Sequence, residues 1–163
     1  MKKHLSHKTR IDHVAIAVKD INKALNFYVG LLGFELCNRR KIEGEFSGME
    51  AVELCAGGFN VVLVQGTDPN SQVSRYIEEY GPGVQHIAIE VNDIGAVSQR
   101  LKKAGVKFAT EVIKGENLIQ IFTQRDKNSG MMFEFINRSE GNEGFEENNI
   151  QSLFEQLEAS DAY

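Results

Sequence analysis

Hydrophobic and small or polar positions alternate with period two through residues 11–18, and the stretch that holds them returns later in the chain. Residues 11–21 read Ile-Asp-His-Val-Ala-Ile-Ala-Val-Lys-Asp-Ile, and residues 84–94 read Val-Gln-His-Ile-Ala-Ile-Glu-Val-Asn-Asp-Ile, an offset of 73 positions. Each copy leads into a helical pattern that a glycine ends, Gly33 in the first and Gly105 in the second. Repetition at a long fixed period marks a duplicated architecture. His13, Ala15 and Ala17 share one strand face opposite Val14, Ile16 and Val18, and the second copy sets His86, Ala88 and Glu90 opposite Ile87, Ile89 and Val91. The bulky face suits packing under a helix. The small face carries the histidine, and a sheet that curls with this face inward leaves room for more than its own side chains.

The remaining pattern completes two like modules. Apolar spacing over 21–32 predicts a helix capped by Asp20. Strands follow at 34–40, 49–55 and 59–65, the last two joined by the turn Ala56-Gly57-Gly58. A short helix over 71–80, stopped by Gly81-Pro82-Gly83, links to a second module with a strand at 84–91, a helix over 94–104 and strands at 106–110, 118–123 and 131–137. A last helix over 150–157 presents Leu153, Phe154 and Leu157 on one face, suited to covering an open barrel mouth. The predicted fold class is α+β: two tandem βαβββ modules, 11–66 and 84–138, in one curled-sheet barrel over 11–138. A basic tail, 1–10, precedes it, and an acidic loop and lid helix, 139–163, follow it.

Composition narrows the function classes. A formal net charge of −5 argues against nucleic acid, and the basic residues of 1–10 read as a solvated tail that also holds His4 and His7. No apolar run long enough to span a membrane or to serve as a secretory signal occurs, so a cytoplasmic location is expected. In that reducing compartment Cys37 and Cys55, on neighbouring strands, are expected as buried thiols.

Two histidines at matching positions of duplicated strands can face one cavity. The strand at 131–137 sets Glu134 with Met132 and Ile136, opposite Phe133 and Phe135, and a carboxylate among apolar residues is costly to bury unless paired or metal-bound. His13, His86 and Glu134 therefore form a candidate two-histidine, one-carboxylate metal site, the ligand set of non-haem Fe(II) oxygenases. Taken singly, each residue has a plainer reading: a histidine satisfied in the core, or Glu134 paired with Arg138 or a lysine. Recurrence of the histidine favours the site.

At these residues the chain resembles the vicinal oxygen chelate superfamily, and within it the catalytic C-terminal domain of 4-hydroxyphenylpyruvate dioxygenases. The resemblance runs through Ser71-Gln72-Val73, Gly81-Pro82-Gly83-Val84-Gln85-His86, Leu118-Ile119-Gln120-Ile121-Phe122-Thr123, Phe133-Glu134-Phe135-Ile136-Asn137-Arg138, Phe145 to Asn149, and Ser152-Leu153-Phe154. It implies Fe(II) at His13, His86 and Glu134, with zinc, manganese, cobalt or nickel as other occupants of such donors. It also implies molecular oxygen as co-substrate and a small-molecule 2-oxo acid that is oxidatively decarboxylated. By the same resemblance Gln72, Gln85 and Gln120 line the substrate pocket, Gln85 and Gln120 act in catalysis, Phe122 packs on the substrate, and Phe145 and Asn149 belong to or precede the lid. The chain departs from that pattern at Ala51, where a serine is usual, at Gly66, where an asparagine is usual, and in lacking the family's large N-terminal domain; a homodimer is expected in its place. An epimerase of the methylmalonyl-CoA type is the alternative, but its extra glutamine ligand falls at Val62, with Gln65 able to replace it only if the strand slips by one residue. A non-catalytic binding or resistance protein is a further alternative that has no use for an open metal site.

Overall fold

The computed structural model describes residues 9–139, 141 and 145–162. Residues 1–8 of the basic tail, with His4 and His7, and residues 140 and 142–144 of the acidic loop lie outside the described residues.

The first module comprises β1 (Arg10–Ala17), α1 (Ile21–Leu25), β2 (Glu35–Glu43), β3 (Gly48–Cys55) and β4 (Asn60–Gly66). After α2 (Gln72–Tyr80) come β5 (Gly83–Glu90), α3 (Ile94–Lys103), β6 (Ile113–Lys114), β7 (Leu118–Phe122), β8 (Met132–Arg138) and α4 (Glu147–Ala159). All eight strands form one curled sheet in the order β2-β3-β4-β1-β5-β8-β7-β6. The duplication is visible in that order. Each module pairs its first strand in parallel with its last, β1 with β4 and β5 with β8, and the modules join through the antiparallel pair β1–β5.

The two strand faces divide as the alternation predicts. Ile16 and Val18 join Val52, Leu54, Val61 and Leu63 beneath α1, while Ile89, Ile121 and Phe135 pack beneath α3 with Val91, Ile94 and Val97. Asp20 caps α1 by accepting from the Asn22 and Lys23 amides, each at 3.0 Å, and Asp93 caps α3 by accepting from Ala96 at 2.8 Å. The small faces turn inward. Ala15, Ala17, Ala51, Val62 and Val64 form the barrel interior with Ile150 and Phe154 of α4, and Val73 and Tyr76 of α2 join the same cluster.

Four local features differ from the sequence pattern. α1 is short and widens into a π-helical stretch over Asn26–Leu31 before Gly33, at φ 77°, ends it. The strand expected at 106–110 is reduced to one bridge, Phe108 with Thr123, because the Thr110 hydroxyl takes the Phe122 amide at 3.0 Å; β6 supplies the sheet edge instead. α4 begins earlier and ends later than the apolar face alone indicated. The fourth difference corrects the expected thiols: Cys37 and Cys55 are joined in a disulfide, Cα atoms 6.1 Å apart, and Cys37 is exposed. Cys37 is the extra residue of a β-bulge between the pairs Leu36–Leu54 and Asn38–Glu53, and the bulge turns it toward Cys55. A compartment argument carries no information about such local geometry.

Candidate metal centre

The strand register builds the centre. Ala88 pairs with His13 on one side and Glu134 on the other, so these three residues form one lateral row; His86 pairs with Ala15 in the next row. Ala88 is fully buried and contributes only a methyl group, which leaves the space between His13 and Glu134 open. His13 Nε2 lies 3.2 Å from Glu134 Oε2 and 3.4 Å from His86 Nε2, and His86 Nε2 lies 3.6 Å from Glu134 Oε2.

This triangle fits a metal ion. Donors about 2.1 Å from an ion stand about 3.0 Å apart at right angles and about 3.4 Å apart at tetrahedral angles. Three donors so placed make one face of a coordination shell and leave the opposite face to substrate. Glu134 Oε1 is buried without a hydrogen-bond partner among the described residues, as expected of a carboxylate built to face a cation. The three side chains form a group whose donor atoms all lie within 4.8 Å of one another.

Two bulges aim the imidazoles. The β1–β5 register shifts between Ile11 and His13, and again opposite the step from Ala15 to Ile16, so the extra residues are Asp12 in one strand and Gln85 in the other. Each immediately precedes its module's histidine. Asp12 Oδ1 lies 2.8 Å from His13 Nδ1, and Gln85 Oε1 accepts from His86 Nδ1. Both acceptors require a proton on Nδ1 and so direct Nε2 at the ion. Arg138 holds Asp12 through two bonds, Nε to Oδ2 at 2.8 Å and Nη2 to Oδ1 at 3.0 Å. Arg138 thus pairs with Asp12 and not with Glu134, which sets aside the plainer reading of that carboxylate.

The two histidines differ in charge. Burial pulls His13 down, but the Glu134 and Asp12 carboxylates outweigh it and the imidazolium is pushed up to about 9. His86 is held well below its usual value by burial and by the neighbouring His13 and Arg125 charges.

The other predicted site residues separate into three groups. Gln120 and Phe145 line the cavity beside the triad, Phe145 edge-on to His13 with ring centroids 5.0 Å apart and Gln120 Nε2 3.3 Å from the Asn149 carbonyl. Phe122 packs edge-on against His86 at 5.1 Å, and Asn149 ties α4 to β7 through the Leu118 carbonyl at 2.7 Å; both support the cavity from behind. Gln85 is engaged by His86. Gln72, buried at the start of α2, is not among the cavity-lining residues, and its Oε1 has no hydrogen-bond partner among the described residues.

The positions that depart from the sequence pattern are also placed. Val62 points inward beside Ala15, whereas Gln65 lies on the outer face and accepts from the Ile21 amide at 2.7 Å; the strand has not slipped. Ala51 lines the cavity. A Cβ at Gly66 would come within 2.1 Å of Ser74 Oγ, so packing against α2 leaves no room there for an asparagine. Sequence reasoning missed Asp12 as a partner of His13, although a polar residue before each repeated histidine breaks the bulky face in both copies and was a usable signal.

The cavity beside the triad measures about 60 Å³, and Phe145, Ile150 and Leu153 are part of its lining. Wider clefts of about 590 and 720 Å³ open on the outer surface, and neither is lined by a triad residue. Among the described residues, no helix is long and apolar enough to cross a membrane.

Residues 10–135 match the sequence profile of the glyoxalase/bleomycin resistance protein/dioxygenase superfamily. The chain belongs to this superfamily. It is 31% identical, over 188 aligned positions, to a 4-hydroxyphenylpyruvate dioxygenase of Legionella pneumophila, covering 92% of this chain and 53% of that protein. It is 30% identical over 106 positions to the mitochondrial methylmalonyl-CoA epimerase of Homo sapiens, covering 64% of this chain and 59% of that one. A variant of 4-hydroxymandelate synthase from Streptomyces coelicolor superposes with a TM-score of 0.83 at 25% identity, over 94% of this chain and 54% of its own. The chain thus spans about half the length of the dioxygenase relatives it matches. Superfamily membership accounts for the curled sheet of paired modules; the relatives include both dioxygenases and epimerases.

Proposed function

We propose that this chain is an Fe(II)-dependent dioxygenase that oxidatively decarboxylates a small 2-oxo acid. The observation that carries the reading is a face of three protein donors with Val62 beside it, since an apolar neighbour leaves the rest of the coordination shell to a chelating substrate and oxygen. The similarity to 4-hydroxyphenylpyruvate dioxygenases over most of the chain supports it. A cytoplasmic location and a homodimer go with this reading and rest on the sequence pattern.

Iron bound at the triad would supply the one-electron chemistry that brings oxygen into reaction with an oxo acid. The protein residues have distinct tasks. Asp12 and Gln85 hold the imidazoles with Nε2 toward the ion, Gln120 offers its amide to substrate oxygens, and Phe122 and Phe145 keep water from the reacting atoms. About 60 Å³ holds a couple of waters and no six-carbon acid, so substrate entry requires the cavity lining to move apart.

The direct test is oxygen consumption by anaerobically Fe(II)-loaded protein on addition of 2-oxo acids, with carbon dioxide followed. Coupled uptake and release supports the reading. Absence of uptake, together with epimerisation of methylmalonyl-CoA by cobalt- or manganese-loaded protein, would transfer it to the epimerase alternative.

A further inference from the structure

The second bulge is held differently from the first. Arg138 reaches Asp12 through its carboxylate, whereas the Gln85 side-chain oxygen is taken by His86 Nδ1 and it is the Gln85 backbone that neighbours hold. A bulge takes its extra residue out of the strand ladder: Ala15 pairs with His86 and Ile16 with Val84, and Gln85 is passed over. Side chains grip the two carbonyls that precede His86. Arg125 Nη2 donates to the Gln85 carbonyl at 3.1 Å, and the Tyr76 hydroxyl donates to the Val84 carbonyl at 2.8 Å.

These two donors form one unit. The Arg125 guanidinium stacks 4.6 Å from the centroid of the Tyr76 ring and 5.3 Å from that of Tyr80, and the two rings are themselves 5.3 Å apart. Tyr76 is buried on α2 and Arg125 stands in the turn between β7 and β8, so three elements meet at this bulge. The other arm of the guanidinium, Nη1, donates to the Gly130 carbonyl at 2.7 Å, two residues before β8 begins. That turn is itself tied down, by the Gly130 amide on the Asp126 carbonyl and by Ser129 on the Asp126 carboxylate. Arg125 thereby bridges the strand that carries His86 and the strand that carries Glu134.

A metal centre needs this kind of bracing. Ligand distances must hold within about 0.2 Å and orientations within roughly 10–20°. A planar guanidinium that spans two carbonyls fixes one ligand strand against the next; the single flexible ammonium of a lysine does not.

We propose that Arg125 and Tyr76 are positioning residues for the metal centre, which together clamp the Gln85 bulge and so aim the His86 imidazole at the ion. The inference rests on the metal reading of the triad and holds whichever substrate the centre takes.

The test is proton nuclear magnetic resonance of the cobalt(II)-loaded protein in water, where each metal-bound imidazole gives a paramagnetically shifted Nδ1–H signal, with affinity read by chelator competition. Asp12→Asn, on the His13 side alone, assigns the two signals. Tyr76→Phe keeps the ring and loses only the hydroxyl; in it and in Arg125→Met the His86 signal is expected to move or to exchange faster with water while the His13 signal stays. Cobalt affinity is expected to fall about tenfold in Arg125→Met. Arg125→Lys keeps the charge and is expected not to restore the wild-type signal. Near-ultraviolet circular dichroism checks the fold, and Tyr76→Phe decides alone if Arg125→Met does not fold. A His86 signal unchanged in either folded variant, one that moves only together with the His13 signal, or full rescue by lysine would overturn the assignment. Cobalt bound no more tightly by the wild type than by Glu134→Ala would remove the metal reading, and this proposal with it.

Discussion

At the scale of single residues the centre depends on what stands behind each donor. Glu134→Ala is expected to lower metal affinity more than a hundredfold while far-ultraviolet circular dichroism stays unchanged; metal content after desalting checks it. Asp12→Asn keeps a hydrogen-bonding partner for His13 but removes the charge, and a ten- to hundredfold loss of affinity is expected, read by chelator competition. Proton and ion compete at His13. Because its ion-free value is raised to about 9, its contribution to the stability of the ion-free protein is full below about 6.5 and fades as pH passes 9. Ion affinity moves oppositely, rising about tenfold per pH unit toward 9 as one proton is displaced and levelling off above it; titrations at several pH values decide this. His13, His86 and Glu134 were legible in the sequence because period-two alternation places them on one face. Arg40 and Glu53 were not, since charges on an edge strand and on the strand beside it are ordinarily solvated, whereas the curl of the sheet puts these two on the cavity wall.

At the scale of elements the β-bulges mark where pattern reading stops. A bulge changes the partner of every later residue without disturbing the alternation on either strand, so the alternation set Asp12 on the outward face, and Gln85 entered the pocket only through the family resemblance. Gln85 accordingly moved from the pocket to the support of His86. The 106–110 segment misled for a related reason: Phe108 packs beneath α3 as a strand residue would, while Thr110 replaces a ladder bond with a side-chain one. α4 was legible as a cover from Leu153, Phe154 and Leu157, and its polar anchors were not. Ser47 donates to Glu158, Gln151 donates to the Glu43 carbonyl at 2.8 Å, and the Glu111 amide donates to Gln156 at 3.0 Å. Phe154, fully buried inside the barrel, is the apolar anchor, and Phe154→Ala is expected to cost about 3–5 kcal/mol in urea unfolding.

At the scale of the whole molecule the repeat predicted the architecture because each module must bury an open sheet edge and a like module offers the matching surface. The Cys37–Cys55 link was illegible for want of any sequence sign that Cys37 is bulged. Its loop of 18 residues implies roughly 3 kcal/mol, so reduction by dithiothreitol should lower the urea midpoint measurably; an unchanged midpoint would show that the bridge does not constrain the unfolded chain. The pairing of β1 with β5 has one more consequence. The donors it brings together are 73 residues apart, and no partial structure of either module alone can assemble them. Capture of a metal ion therefore serves as a clock for the finish of folding: in stopped-flow refolding with cobalt, the ligand-field absorption should appear no earlier than the slowest protein phase, whatever the ion concentration.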